Sequence, residues 1–363
     1  MIPRTLSRYF AVRFLGVVTA VFAGVFILVV MIDYVELMRR ASDAPNASAW
    51  LVAKTSFFRV PQVTERLLPF AVLVGAMTCY LNLSRRHELV VARSAGMSAW
   101  QFVTPALLVA LALGTLAATV YNPLSAALRE RSKRLEADLF GERQSGLRQT
   151  GGGFWVRQKS PDGQAVINAT SSREQGVVLG GVTVFAFDAS GRFRERIEAK
   201  SAELQQGFWR LEQARVYASG IPTRELDSYS LSTNLTPEQV RESFATPETV
   251  SFWELPLYIE TAEQAGLVAA GYRLQYQLLL ARPLLLVAMV MLAASVSLRF
   301  FRFGGVSAMI LVGVGAGFLL YVLSKVTEDL SKAELMHPVA AAWLPVLVGG
   351  LTGFVVLLYQ EDG

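Results

Sequence analysis

The residue types that most often carry chemistry are scarce in this chain, and they are not gathered. One cysteine, Cys79, and two histidines, His87 and His337, stand among 363 residues. That is too few for an internal disulfide framework, and it leaves little for a metal cluster or a histidine-based triad. Cys79 lies in an apolar run and reads as a small packed residue; His337 reads as a neutral helix-start residue before Pro338. No histidine falls between Arg129 and Arg273, and the serines and acids there single out no nucleophile, base and orienting group. A G-x-x-x-x-G-K-[ST] sequence is absent too, so no phosphate-cradling loop can be assigned.

The most informative short segment runs Leu83-Ser84-Arg85-Arg86-His87-Glu88-Leu89-Val90-Val91-Ala92-Arg93-Ser94-Ala95-Gly96-Met97-Ser98-Ala99-Trp100. Leu89, Ala92 and Gly96 recur at three and four residues, Val90 and Val91 widen that side, and Arg86 and Arg93 lie elsewhere. The pattern predicts a short helix along a membrane surface, ended near Gly96. Two readings stay open for it. One is a plain interfacial helix between two spans. The other is a helix that docks into a cytoplasmic partner and transmits its movement, with Glu88 offered to a basic residue of that partner.

The elements that must position this segment are membrane spans. Hydrophobic residues make up 53% of the chain, and with glycine counted the apolar share exceeds the roughly 45–50% of a soluble domain. Six stretches are free of charge or nearly so: Phe14–Ile32, Leu67–Ser84, Ser94–Leu128, Leu274–Leu298 (broken by Arg282), Phe303–Ser324 and His337–Gln360. At about 1.5 Å per residue such stretches cross a hydrocarbon core of about 30 Å. The first lacks a small-x-small cleavage site and is read as a retained span. The net charge of +5 comes from arginines beside spans, not from a basic stripe with stacking aromatics, so no nucleic-acid partner is expected.

Between the third and fourth stretches the period changes to two. Phe154-Trp155-Val156, Ala165-Val166-Ile167, Val182 to Phe187, Arg194 to Ala199 and Phe208-Trp209-Arg210-Leu211-Glu212 are short β-branched or aromatic segments. Turns at Pro161-Asp162-Gly163, Asp188-Ala189-Ser190-Gly191 and Gln205-Gln206-Gly207 separate them, which predicts an antiparallel sandwich or jelly roll. Pro256 to Ala270 predicts a short, partly amphipathic helix leading back to the membrane. The organisation expected is residues 1–128 with three spans and a surface helix near 84–98, an extramembrane β-jelly-roll domain and connector at 129–255, and residues 256–363 with a connecting helix and three more spans.

Charge gives the orientation. The two tight loops, one after the second stretch and one after the fourth, carry Arg85, Arg86, Arg93, Arg299 and Arg302 against a single acid, Glu88. That places both termini and these loops in the cytoplasm and, across an odd number of spans, the β-domain on the other side. In the fifth stretch Gly313 and Gly317 are four residues apart, a spacing that permits close helix approach and predicts packing against a neighbouring span.

The segment from Arg85 to Ser98 resembles the coupling-helix pattern R-x-E-L-x-x-x-x-[AS]-x-G of the LptF/LptG (YjgP/YjgQ) family of lipopolysaccharide export permeases. The resemblance extends along the chain through Gly207-Phe208-Trp209, Asn234-Leu235-Thr236-Pro237 and Gly271-Tyr272-Arg273-Leu274-Gln275-Tyr276. It implies a non-catalytic permease in the inner membrane of a Gram-negative bacterium, its β-domain periplasmic. In such transporters LptF and LptG form a pseudo-twofold pair above two copies of the ATPase LptB, which bind the ATP and magnesium, so no cofactor is expected in this chain. LptC inserts a helix, and lipopolysaccharide passes from the outer leaflet through the jelly rolls toward LptC and the LptA bridge. The resemblance assigns coupling to Glu88 with Arg86, Leu89 and Val90 around it, and lipid headgroup contact to Arg39, Arg40, Arg131 and Arg134. Phe185, Phe187 and Trp209 are the expected lipid-conduit positions. Where some members carry a lysine at the outer end of the first span, this chain has Asp33, which puts one phosphate contact in doubt. Solvated arginines beside Glu36, Glu130 and Glu136 are the plainer reading of the basic cluster. Either of the two paralogous permease subunits fits the resemblance; a membrane scaffold or receptor with an extracellular β-domain is a second function class, and a membrane-bound enzyme, disfavoured by the sparse histidines, is a third.

Overall fold

The computed structural model describes residues 4–41, 48–140, 154–160, 163–173, 176–188, 192–218, 221–233, 247–264, 269–303 and 306–362. Helices α1 (Arg4–Ala41), α2 (Ala49–Arg85), α3 (Glu88–Ser94) and α4 (Ala99–Leu116) come first, and α4 passes through a π turn, Ala117–Tyr121, into α5 (Asn122–Phe140). Strands β1 (Phe154–Ser160), β2 (Gly163–Arg173), β3 (Val178–Phe187), β4 (Phe193–Gln205), β5 (Phe208–Ala218) and β6 (Ile221–Ser232) follow. Helices α6 (Leu255–Gln264), α7 (Ala270–Phe303), α8 (Val306–Lys332) and α9 (Pro338–Asp362) complete the chain. Among the described residues six helical segments are long and apolar enough to cross a membrane, three before the strands and three after them. The Asn234-Leu235-Thr236-Pro237 segment lies outside the described residues.

Local chemistry sets the helix ends. Ser48 caps α2 by accepting from the Leu51 N–H at 3.1 Å, and Ser98 and Gln101 form a reciprocal capping box at the start of α4. Between them His87 takes a left-handed conformation, φ 59°, which breaks α2 from α3. The surface helix is therefore only the segment Glu88–Ser94, shorter than the 84–98 segment, because α2 itself runs on through Arg85. Gly96, φ 81°, then turns the chain toward α4.

The chain divides into two compact units: residues 1–132, 251–253 and 273–363, and residues 133–250 with 254–272. In the first, Phe14 of α1, Leu73 and Met77 of α2, Phe102 of α4 and Val290 of α7 share one buried cluster. Glycines allow the close approaches. A methyl group at Gly114 would collide with the backbone of Pro283, so α4 and α7 touch there through their main chains. Gly313 and Gly317 of α8 face the side chains of Met77 and Leu73 on α2.

In the second unit the six strands pair antiparallel in the order β1-β2-β3-β4-β5-β6. One face is packed with Ile167, Leu179, Val182, Val184, Ile197, Leu204, Trp209 and Leu211. The first and last strands meet through a side chain: Gln158 of β1 accepts from Trp209 Nε1 at 3.0 Å and from the Thr233 hydroxyl at 2.7 Å, and its amide donates to the Ser232 carbonyl at 3.4 Å. The sheet is thus curled around its apolar face. Strand β6 has no counterpart among the segments read from sequence, because most of its side chains are exposed and no alternation marks it.

Gly114→Ala is expected to destabilise the protein by about 1–3 kcal/mol, the usual cost of overpacking a close contact. The thermal midpoint in detergent reads this. Gly315→Ala is the control, since a methyl there meets nothing within 4 Å, and its midpoint should not fall.

Candidate functional site

On the face expected to be cytoplasmic, α3 turns Leu89 inward. Leu89 is 2% exposed and sits in the same cluster as Phe10, Phe14 and Phe102. Val90 and Val91 point out, at 42% and 65% exposure, and Arg86 is exposed. Of the four coupling positions, then, Glu88, Val90 and Arg86 reach the surface, while Leu89 anchors the helix from within. Glu88 is already engaged. Tyr9 donates its hydroxyl to Oε2 at 3.0 Å, and Arg13 donates from Nη1 to Oε1 at 3.2 Å.

Near the other end of the spans the basic residues also have partners. Glu36 accepts from Arg39 through two nitrogens, each at 3.0 Å, and from Arg40 Nε at 2.7 Å. Asp33 is held by Arg59 of α2 at 3.2 Å, and its second oxygen is buried with no hydrogen-bond partner. The position that raised doubt about a phosphate contact is thus one half of a link between α1 and α2. Arg131 is exposed on α5; Arg134 belongs to the same helix, its side chain outside the described residues.

A third polar group was not read from the sequence. Glu65 of α2 is 4% exposed and takes hydrogen bonds from Asn122 Nδ2 at 3.0 Å and the Ser125 hydroxyl at 2.6 Å. The guanidinium of Arg282 on α7 pairs with the same carboxylate. Asn122 uses its other end to accept from the Phe252 N–H at 2.9 Å, and the Trp253 indole donates to the Thr119 carbonyl, inside the π turn, at 3.0 Å. The signal that could have found it was Arg282, the one charge in its apolar stretch, since an ionisable residue at such a place requires a partner.

In the β-unit, Phe185 and Phe187 do not share a face with Trp209. They alternate along β3 with the buried Val184 and Ala186, whereas Trp209 lies on the packed face at 1% exposure. Among the described residues no group of three or more His, Cys, Asp or Glu side chains is placed to hold a metal ion.

The sequence profile described as "Lipopolysaccharide export system permease LptF/LptG" matches residues 8–359. The chain belongs to the LptF/LptG family. It is similar to the lipopolysaccharide export system permease protein LptG of Escherichia coli K12, 24% identical over 345 residues, covering 92% of this chain and 93% of that protein. The LptG of Haemophilus influenzae is 23% identical over 362 residues, covering 98% and 97% respectively. Within the family this chain is accordingly LptG-like, and its three polar groupings, at Glu88, at Asp33 with Glu36 and at Glu65, lie within the matched span.

Breaking the buried pair of this LptF/LptG member from one side should cost far more than removing it whole. Glu65→Leu leaves the Arg282 guanidinium, 13% exposed, without its counter-charge, at a cost of about 3–5 kcal/mol. Adding Arg282→Met should recover most of that loss. Denaturation midpoints of the single and double variants decide it, and equal losses in both would contradict the account.

Proposed function

We propose that this chain is the LptG-like permease of an ATP-driven exporter that extracts lipopolysaccharide from the outer leaflet of the inner membrane and hands it to a periplasmic bridge. The observation that carries the reading is the family match over residues 8–359. In this reading LptF is the second permease, two LptB subunits bind below and hydrolyse ATP with magnesium, LptC adds a helix, and LptA receives the lipid. Residues 1–128 and 256–363 form the membrane body with the coupling helix near 84–98, both termini are cytoplasmic, and 129–255 is the periplasmic β-domain with its connector.

The chemistry divides by side. On the cytoplasmic face Glu88, Val90 and Arg86 meet LptB, with Leu89 fixing the helix behind them. A carboxylate offers about four lone-pair sites, so Glu88 can take a donor from LptB while keeping those of its own chain. At the outer boundary Arg131 and Arg134 meet headgroup phosphates, and Arg39 and Arg40 join them by exchanging Glu36 for a more highly charged acceptor. The β-domain is read as a jelly roll: Gln158 already bridges its first and last strands over an apolar interior, a lining suited to acyl chains. Gly313 and Gly317 keep α8 close to α2.

Purification of the native complex followed by mass spectrometry of its proteins and lipids tests the whole reading; LptB, LptF and lipopolysaccharide should be recovered together. Two narrower outcomes are expected. Arg131→Ala with Arg134→Ala should lower bound lipopolysaccharide at least several-fold while LptF and LptB remain associated, and unchanged occupancy would return these arginines to plain solvated charges. Photocrosslinkers at Phe185, Phe187 and Trp209 should label lipopolysaccharide only in the ATP-competent complex. Because Trp209 and the two phenylalanines lie on opposite faces of the sheet, the labelled position identifies the lipid-bearing face.

A further inference from the structure

Helix α3 is fastened to the first span. Tyr9 and Arg13 stand four residues apart on α1, with the Arg13 guanidinium over the Tyr9 ring at 5.6 Å from its centroid and in contact with its hydroxyl. Each donates to a different oxygen of Glu88, at 3.0 and 3.2 Å. Both members of the ion pair are only partly exposed, 20% for Arg13 and 27% for Glu88, so the contact is shielded on one side by the packed helices and open on the other. Leu89 beside it packs in the same cluster as Phe10 and Phe14, which makes the link apolar as well as ionic.

We propose that Tyr9 and Arg13 are positioning residues for energy coupling, joining α3 to α1 so that movement imposed on α3 by the ATPase is delivered to the first span. The proposal rests on the reading of α3 as the helix that the ATPase grips. Two further features support it. The first span is the least enclosed of the six, with only 6% of its most apolar window buried, and Val12, Leu15, Ile27, Leu28, Met31, Ile32 and Val35 are exposed. Within this chain it packs along one side, on α2 and α4, and its other side is left open. The other feature is its bracing. Arg13 and Asp33 are separated along one unbroken helix by about 30 Å, at 1.5 Å per residue, which is the thickness of the hydrocarbon core. At its far end Asp33 is tied to Arg59 of α2. The first span is therefore anchored by an ion pair at each boundary, one to the second span and one to the surface helix, and a push on Glu88 acts on it as a rod.

The test uses the assembled transporter, reconstituted with its ATPase in vesicles containing lipopolysaccharide, and reads lipid released per ATP hydrolysed. Arg13→Gln should lower that ratio about five- to tenfold, the lower range of coupling effects between sites, with Arg13→Lys restoring most of it. Tyr9→Phe, which keeps the ring and removes one donor, should lower it less. Arg13→Gln should leave the amount of bound ATPase unchanged, because Arg13 acts on the α1 side of Glu88 and not on the contact with the ATPase. Both results are required. A normal ratio in Arg13→Gln, or a fall in it that only follows a loss of bound ATPase, overturns the link to the first span. A normal ratio in Glu88→Arg itself overturns the reading of α3 on which the link rests, so the two failures are told apart.

Discussion

The rest of the membrane unit is arranged around one buried ion pair. A carboxylate and a guanidinium taken out of water each lose several kcal/mol of hydration, and their attraction offsets this only with good geometry and with every remaining donor and acceptor used. Glu65 meets that condition through Asn122, Ser125 and Arg282. The arrangement is demanding because it needs α2, α5 and α7 at one registry. The π turn before Asn122 rotates α5 relative to α4, and Asn122 then serves two masters, donating to Glu65 and accepting from Phe252. Slip α2 or α7 by one residue and a charge is stranded in an apolar setting; slip α5 and Glu65 loses two of its donors. A hydrophobic interface would tolerate such a slip, and this one does not.

The same logic explains what could be read from the sequence. Spans announce themselves because a charge inside one is costly, so long charge-free runs are conspicuous, and the six-span architecture with an inserted β-domain followed from them directly. Arg282 stood out for the same reason. Glu65 did not, because it lies beside Arg66 just before the Leu67–Ser84 run, where charged residues are ordinary, and only the fold turns its side chain inward. In the β-domain, strands with one packed face alternated visibly and β6 did not. The pairing of faces was hidden too: Phe185 and Trp209 are both large aromatics, but which side of the sheet each occupies depends on register across β3, β4 and β5. For Glu88 the motif was legible and its surroundings were not. Tyr9 and Arg13 precede the first span by sequence and look like ordinary residues on the positive side of a membrane.

Electrostatic pairing also orders the two ends of the spans. At the Glu88 end, the pair is shielded and shared between elements far apart in sequence. At the Glu36 end it is local and exposed, formed within one turn of α1 between Glu36, Arg39 and Arg40. Exposed pairs of that kind contribute about 0–1 kcal/mol, so they do little to hold the fold. Their consequence is different: the arginines are kept extended beside an acceptor that is easily exchanged. A multivalent phosphate brings more charge and more acceptor oxygens than one carboxylate, and it has only this weak contact to displace. The Asp33–Arg59 pair is unlike it, since 25% exposure for Arg59 and 11% for Asp33 place it against the helices. A lysine at position 33 would repel Arg59, so the neighbour present here suits an acid at that position. In this chain the position is given to holding α1 against α2, and under the proposed function it is the exposed arginines around it that are left to meet lipid phosphate.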